Sequence, residues 1–274
     1  MLRKRPPPSS IDYALIGSAC ARYAALGYEA VEVPWCDSGV GYQLTRPEGA
    51  AKRDIASVLG FHVASAEQSF ISMLARGELP AGKYQATTPC FRDESSAELS
   101  ETKCQWFLKN ELIVVPQLTR SGIPLSTDTI LSLVAGAASD AAAVLSELLG
   151  IPSCVDELTL QLAELRLANS NVCSEASRGS LLRFITTSDS RDLVPGIDIE
   201  ARMPDGSWLE LGSYGARRFT GSNETECEAG NIESPERDQS PQAFDTGVYV
   251  YGTGLAEPRA SHFRRILQGA LQST

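Results

Sequence analysis

The sequence predicts an α+β fold, an antiparallel sheet with helices set apart from it. Three observations carry this. Strand-like segments Lys83–Phe91 and Gln105–Val115 are joined by a polar loop. Gly196–Arg202 and Ser207–Ser213 flank Pro204-Asp205-Gly206, a sequence that turns a chain back as a hairpin. The clearest helix, 126–149, is Ala- and Leu-rich, starts at Ser126/Thr127 and ends at Gly150, outside both strand pairs.

The other elements follow in chain order. Residues 1–9 are a flexible basic and proline-rich arm, with no apolar stretch behind the charges to make a signal peptide. Residues 10–27 have helical spacing, with Ser9 or Ser10 as cap. Tyr28–Trp35 alternates as a strand does and is stopped by Pro34. Residues 48–59 predict a short helix, and Gln68–Arg76 another after the loop around His62–Glu67. Pieces of helix are expected in a loop-rich insertion over about 156–190. A strand at Gly247–Tyr251 and a last helix over 255–272 close the chain, and 221–243 is an acidic, apolar-poor loop. Residues 10–274 are expected to form one catalytic domain.

Composition narrows the function classes. The chain has 274 residues, a formal net charge of −10 and 43% hydrophobic residues, values of a globular protein with a sizeable core. The acidic balance opposes a large nucleic-acid footprint, which needs clustered Lys and Arg. No run approaches the ~18 apolar residues of a membrane span. Seven scattered cysteines without a C-x-x-C pair fit a reducing cytoplasm, and two histidines leave little for a histidine triad or zinc site.

Four segments carry candidate chemistry. Thr88–Glu94 (TPCFRDE) ends a strand and opens a polar loop, and the next strand brings back Phe107, Lys109 and Glu111. Such a hairpin can hold Arg92 over a phosphate, with Phe107 beneath a base; it also fits an ordinary surface Arg-Glu pair. Tyr251–Arg259 (YGTGLAEPR) runs a strand through two glycines into a helix whose first turns carry Arg259, a place suited to anions. In Trp208–Ser213 (WLELGS), alternation sets Glu210 opposite Leu209 and Leu211, facing the open side of the sheet, where a carboxylate can hold Mg²⁺ against phosphates or simply meet solvent. Glu67, in Ala64–Gln68 (ASAEQ), and Glu111 can each take a substrate ammonium, or serve as a helix-start residue and a surface pair.

In order and spacing these segments resemble the class II aminoacyl-tRNA synthetases, most nearly seryl-tRNA synthetase. YEAVEVP at 28–34 resembles motif 1, FRDE at 91–94 motif 2 and GTGLAEPR at 252–259 motif 3, with SAE at 65–67 and LELGS at 209–213 at the places of a T-x-E loop and an E-I-S-S stretch. The resemblance spans about 10–115 and 196–272. It implies a class II synthetase-type antiparallel sheet flanked by helices, a homodimer through motif 1, and ATP with Mg²⁺. Arg92 would hold the α-phosphate, Glu94 would contact the adenine side or the acceptor end, and Phe107 would stack on adenine with Arg259 on its other face or near the γ-phosphate. Glu210 and Ser213 would hold Mg²⁺. Ser65, Glu67, Glu111, Ser213, Tyr251 and Thr253 would line the amino-acid pocket, whose polarity favours a small or polar amino acid.

The departures from that family concern the acceptor. Only about ten residues precede the core, no anticodon-binding domain follows motif 3, and the loop after Glu94 carries Glu98 and Glu101 against Lys103. These features are similar to the truncated seryl-like amino acid:carrier-protein ligases. The expected function is ATP-dependent formation of an aminoacyl-adenylate and transfer to a non-tRNA acceptor, a carrier protein or small molecule. The alternatives are a minimal seryl-type synthetase charging tRNA and a non-catalytic paralogue that binds amino acid or nucleotide. The carrier-protein ligases hold a pocket zinc with two cysteines and a glutamate. Here Glu111 fits the glutamate, but Ser65 or Ala66 and Tyr251 stand at the cysteine positions, so no zinc is expected.

Overall fold

A computed structural model describes residues 11–37, 45, 56–57, 60–92, 97–117, 125–151, 181–219 and 247–272. In chain order the elements are α1 (Tyr13–Ala25), β1 (Glu29–Ala30), β2 (Cys36–Asp37), β3 (Ala56–Ser57), β4 (Gly60–His62), α2 (Ala66–Ala75), β5 (Gly82–Phe91) and β6 (Trp106–Val115). Then come α3 (Thr127–Leu149), β7 (Leu182–Thr187), β8 (Gly196–Arg202), β9 (Trp208–Phe219), β10 (Gly247–Ala256) and α4 (Glu257–Gln272). A main sheet of seven strands runs in the order β1-β5-β6-β10-β9-β8-β7, and a small sheet in the order β2-β4-β3. All neighbours in the main sheet are antiparallel except β1, which lies parallel to β5. The α+β expectation holds, with that one parallel edge.

Side-chain alternation divides the main sheet into two faces. One presents Leu112, Val114, Ile197, Ile199, Tyr214, Ala216 and Val250 to a core shared with α1 and α3. Small residues on α3, among them Ala138, Ala141 and Ala142, let that helix sit close to the sheet. By length and composition α3 is apolar enough to cross a membrane, and its buried side packs on β8, β9 and β10. On the other face Tyr84, Ala86, Ile113, Tyr249 and Tyr251 pack under α2 through Phe70, Ile71 and Leu74. Beyond α2, among the described residues, this second face carries the cleft of the candidate site.

Helix ends follow their caps. Ser126 accepts from the Thr129 N–H at the start of α3, and Gly150 closes it in the left-handed conformation at φ 67°. Helix α1 is capped by Asp12, whose Oδ1 accepts from the Leu15 N–H at 2.9 Å; Ser9 and Ser10 lie outside the described residues. Asp12 has the charge advantage at a helix N-terminus and is further held by Arg264 at 3.1 Å. The hairpin turn forms as expected, with Gly206 donating to Met203 O and taking φ 84°.

Several boundaries differ from the sequence reading. Only Glu29–Ala30 of the expected strand Tyr28–Trp35 joins the ladder with β5; Val31 still donates to Gln85 O at 3.0 Å, and Trp35 O accepts from the Val63 N–H at 3.0 Å. Ala56–Ser57, at the end of the expected 48–59 helix, pairs with β4 instead. Leu182–Thr187, within the stretch expected to hold pieces of helix, forms the edge strand β7. Strands β9 and β10 run on to Phe219 and Ala256, so the last helix starts at Glu257 rather than 255. The acidic loop 221–243 and residues 1–9 lie outside the described residues.

Gly150 supplies a conformation that a Cβ disfavours. Gly150→Ala should lower unfolding free energy by about 1 kcal/mol, measured by urea denaturation with an unchanged slope.

Candidate active site

Two irregularities in the sheet build the cleft. Between Thr253 and Leu255 the pairing of β10 with β6 shifts by one residue, so that Thr253 pairs with Glu111 and Leu255 with Asn110. Gly254 is the extra residue. Strict alternation would place Thr253 and Leu255 on one face, but the bulge sends Leu255 into the core and leaves Thr253 on the open side. A Cβ on Gly254 would stand 2.2 Å from Asn110 Oδ1, so no other residue fits without a shift. Two fully buried tyrosines secure the bulge from the core: Tyr214 donates to Thr253 O at 2.5 Å and Tyr23 to Gly254 O at 2.7 Å.

The second irregularity is in β9. Ile199 pairs with Gly212 and Glu200 with Glu210, which leaves Leu211 as the extra residue. Glu210 and Ser213, three apart, would otherwise point to opposite faces. With the bulge both line the same cleft, while Leu211 is buried in the core.

The resulting cleft has a volume of about 260 Å³ and brings together Arg92, Phe107, Glu210, Ser213, Thr253 and Arg259. Arg92 follows the last residue of β5, its N–H donating to Gln105 O at 2.7 Å, and its guanidinium lies 5.9 Å from the Phe107 ring centroid. The Arg92 Nε is buried without a hydrogen-bond partner among the described residues. Arg259, in the first turn of α4, reaches back to Glu210: its Nη1 lies 2.5 Å from Oε1 and 3.2 Å from the backbone oxygen. Glu94 lies outside the described residues.

The sequence reading named Lys103 and Lys109 without giving them a role in the site, and it did not single out Asp198. Lys103 and Lys109 add positive charge to the cleft wall. Lys103 sits in the loop after Glu98, while Glu101 turns outward to His262 at 2.8 Å and Arg265 at 3.3 Å on α4. Asp198 of β8 pairs with Ser213, whose hydroxyl bonds to its carboxylate. Its Oδ1 is buried and unpartnered among the described residues. Burial pushes the Asp198 carboxyl up to about 6; Ser213 opposes the shift, Glu210 and Glu200 add to it, and Arg259 opposes it. No short-range sequence signal marks Asp198, because its partner is on the next strand.

Ser65, Glu67, Glu111 and Tyr251 form a deeper, buried network. Glu111 accepts from Ser65 Oγ at 2.6 and 2.5 Å, from Lys109 at 2.8 Å and from the Glu67 N–H at 3.3 Å. Glu67 Oε1 accepts from Arg217 at 2.7 Å and from the Tyr249 hydroxyl at 2.9 Å. The Tyr251 hydroxyl lies 2.9 Å from Asp192 Oδ2 and accepts from Arg217 at 3.1 Å. Arg217, Asp192 and Tyr249 were not singled out from the sequence, where they lie far from Glu67.

Glu210 and Ser213 supply one carboxylate and one hydroxyl to the cleft. That set fits Mg²⁺, which keeps several waters and is held by one or two carboxylates together with substrate phosphates. Among the described residues no group of three or more His, Cys, Asp or Glu side chains is arranged to hold a metal by itself. Cys20, Cys36, Cys90 and Cys104 are in no disulfide.

No protein-family model matches the chain, and no curated protein matches it in sequence. Solved structures match it in fold. It is similar to the cytoplasmic serine–tRNA ligase of Naegleria fowleri in complex with AMP, at 16% identity and TM-score 0.56, over 92% of this chain and 52% of that one. It is similar to seryl-tRNA synthetase from Pyrococcus horikoshii complexed with ATP, at 17% identity and TM-score 0.51, over 91% and 49%. It also matches the RNA binding domain of threonyl-tRNA synthetase from Cryptosporidium parvum Iowa II, at 12% identity and TM-score 0.57, over 94% and 65%. At these identities the likeness establishes a shared fold, that of class II synthetases. The chain spans about half the length of the two seryl proteins.

The Asp198 shift sets a pH dependence. An unfolded aspartate titrates near about 3.9, the folded one at about 6. Between those values the folded chain keeps a proton that the unfolded chain has lost, so this residue's contribution to stability falls as pH rises and stays low above the window. Asp198→Asn removes that penalty. The variant should be more stable than wild type by about 1–2 kcal/mol at about pH 7.5, after allowing for solvent screening, with the difference vanishing by about pH 4 in thermal unfolding.

Proposed function

We propose that the chain activates a small or polar amino acid with ATP, forming an aminoacyl-adenylate, and passes it to a non-tRNA acceptor. The observation that carries the reading is the meeting of Arg92, Phe107, Glu210, Ser213, Thr253 and Arg259 in one cleft, from three strands, the residue after a fourth and a helix start. Arg92, Lys103 and Arg259 supply the positive charge that a triphosphate needs, and Phe107 supplies a ring for the adenine. The substrate carboxylate attacks the α-phosphorus in line, the bond to the bridging oxygen breaks, and pyrophosphate leaves. Arg92 stabilises charge on the α-phosphate oxygens, and Arg259 that on the departing pyrophosphate, so catalysis is positioning and charge neutralisation. Mg²⁺ held by Glu210 and Ser213 would neutralise phosphate charge. Thr253 lies at the boundary between the open cleft and the buried network of Glu67 and Glu111, where the amino acid would sit.

For the acceptor, the loop over 97–105 turns Lys103 into the cleft while its Glu101 is engaged by His262 and Arg265 on α4, so among its described residues the loop presents no outward cluster of positive charge to an RNA phosphate backbone. A carrier-protein thiol or a small-molecule nucleophile needs no such cluster. Its attack on the adenylate carbonyl would release AMP.

ATP–pyrophosphate exchange without tRNA, across the standard amino acids and several non-proteinogenic ones, tests the activation step. Exchange with one or a few of them supports the reading; silence with all of them for folded protein and Mg²⁺ overturns it. Arg92→Ala and Arg259→Ala should each lower exchange by about 100-fold or more with circular dichroism unchanged. Glu210→Ala should raise the Mg²⁺ concentration for half-maximal exchange by about tenfold or abolish activity. An unchanged Mg²⁺ titration removes Glu210 from the metal site. Transfer of labelled amino acid to carrier proteins, small nucleophiles or tRNA decides the acceptor.

A further inference from the structure

The pairing of β9 with β10 ends at Tyr214 and Gly252, although β10 runs on to Ala256 and β9 begins at Trp208. Along that unpaired stretch Glu210 and Ser213 line the cleft from one strand and Thr253 from the other. Backbone hydrogen bonds fix the spacing of two strands where a ladder joins them. Where the ladder stops, the width of the cleft must be set by something else. Tyr214, the residue after Ser213, spans the opening from the core side. It is fully buried and donates its hydroxyl to Thr253 O at 2.5 Å.

Two glycines clear the path of that ring. A Cβ on Gly252 would stand 2.4 Å from Tyr214 Cδ1, and one on Gly212 would stand 2.8 Å from the Tyr214 oxygen and 3.1 Å from Thr253 O. Arg259 also reaches across the opening, to Glu210, but that pair is partly exposed to water. Tyr23 offers the comparison. It is as deeply buried and donates to the next carbonyl, Gly254 O, at 2.7 Å, but it comes from α1 and so holds the β10 bulge alone. A hydroxyl needed only to satisfy a buried carbonyl can come from any part of the core, as that of Tyr23 does. One carried beside Ser213 ties the two bulged strands to each other.

We propose that Tyr214 is a positioning residue that sets the distance between the two halves of the cleft, holding Thr253 on β10 in place against Ser213 and Glu210 on β9. This rests on the functional reading above, in which Ser213 and Glu210 serve the metal and phosphates and Thr253 the amino acid, and it makes both halves depend on one phenol. Buried in the core, Tyr214 touches neither substrate. It acts through the backbone: a shift of Ser213 moves Thr253, and a shift of Thr253 moves Ser213. Occupation of one half therefore prepares the other, by the same factor in both directions.

The experiment compares wild type, Tyr214→Phe and Tyr23→Phe by ATP–pyrophosphate exchange with the best-activated amino acid, and by NMR amide hydrogen exchange over 210–213 and 253–256. Each variant loses one oxygen and keeps its ring. Tyr214→Phe should raise both the amino-acid KM and the Mg²⁺ concentration for half-maximal exchange by about tenfold, and speed amide exchange in both segments by about tenfold. Tyr23→Phe should raise the amino-acid KM alone, with the Mg²⁺ concentration within about twofold of wild type and faster amide exchange only over 253–256. A purely structural tyrosine predicts a lower melting temperature, with the constants of Tyr214→Phe moving as those of Tyr23→Phe do or not at all; either result overturns the proposal. If Tyr214→Phe fails to fold, the Tyr214 hydroxyl proton of wild type decides by NMR. A shift on adding MgATP and a further shift on adding the amino acid support the proposal, and a signal that follows only one of them or neither overturns it. If wild type activates no amino acid, the functional reading fails separately, and amide exchange decides whether Tyr214 ties the strands: faster exchange in both segments of Tyr214→Phe supports the tie, and faster exchange over 253–256 alone, or in neither, overturns it.

Discussion

Two adjacent strands at the middle of the sheet each carry one residue more than their neighbours can pair, Gly254 in β10 and Leu211 in β9. The joint presence of Glu210, Ser213 and Thr253 in the cleft depends on that. A regular strand offers one face to the core and one to the ligand with fixed period, so a central strand cannot change which residues it exposes without a bulge. Here the two extra residues let Leu211 and Leu255 fill the core while Glu210, Ser213 and Thr253 all reach the cleft. The core holds the irregularity in place. Tyr23 and Tyr214 donate to the backbone oxygens of Gly254 and Thr253, each without measurable exposure to water. Burial pushes both phenols well up from their usual range, so they remain donors throughout.

The deep end of the site shows what buried charge requires. Among the described residues, Glu67, Glu111, Asp189 and Asp192 stand against Lys109, Arg191 and Arg217, four carboxylates against three cations. Burying charges without complete pairing is unfavourable. Burial accordingly pushes the Asp192 carboxyl upward, with Arg217 and the Tyr251 and Arg217 hydrogen bonds opposing it. Burial also disfavours the charged form of Arg217, but Glu67, Tyr251, Tyr249 and Asp192 outweigh it and the net shift is upward.

What could be read from the sequence follows how local the physics is. Strands β5, β6 and β8 fall within a residue of their expected ends, because alternation and turn chemistry act over a few residues. Helix α3 is legible for the same reason, with Ser126 and Gly150 as its end signals. Edge strand β7 has turn formers on both sides, Gly179-Ser180 and Ser188-Asp189-Ser190, but lacks a clean apolar–polar alternation, and β1 pairs over only two residues of its longer alternating run. In the site, Arg92, Phe107, Glu210, Ser213, Thr253 and Arg259 were found through short motifs. The bulges were not, since LELGS reads as regular alternation, which would have turned Ser213 away from Glu210. Arg217 and Asp192 meet Glu67 and each other only through long-range packing, and a single sequence holds no spacing rule for that.

The pair between Arg259 and Glu210 bears on how such a cleft opens to a nucleotide. Its two groups keep 30% and 42% of their side-chain exposure, so the pair is partly hydrated and contributes little to folding. Its effect on binding is larger in principle. A lone arginine over a cation-rich cleft would repel Arg92, Lys103 and Lys109, and Glu210 offsets that repulsion while no phosphate is present. On the proposed function, a triphosphate would offer Arg259 more negative charge than Glu210 does, and an accompanying divalent cation would offer Glu210 more positive charge than Arg259 does. Both partners would then exchange a weak internal bond for a stronger external one, so little favourable interaction would be lost when the pair separates. The same exchange would make the two ligands cooperative, because a phosphate that draws Arg259 away would free the carboxylate that a cation needs. Linkage then requires the converse as well: a cation on Glu210 would free Arg259 for phosphate, by the same factor.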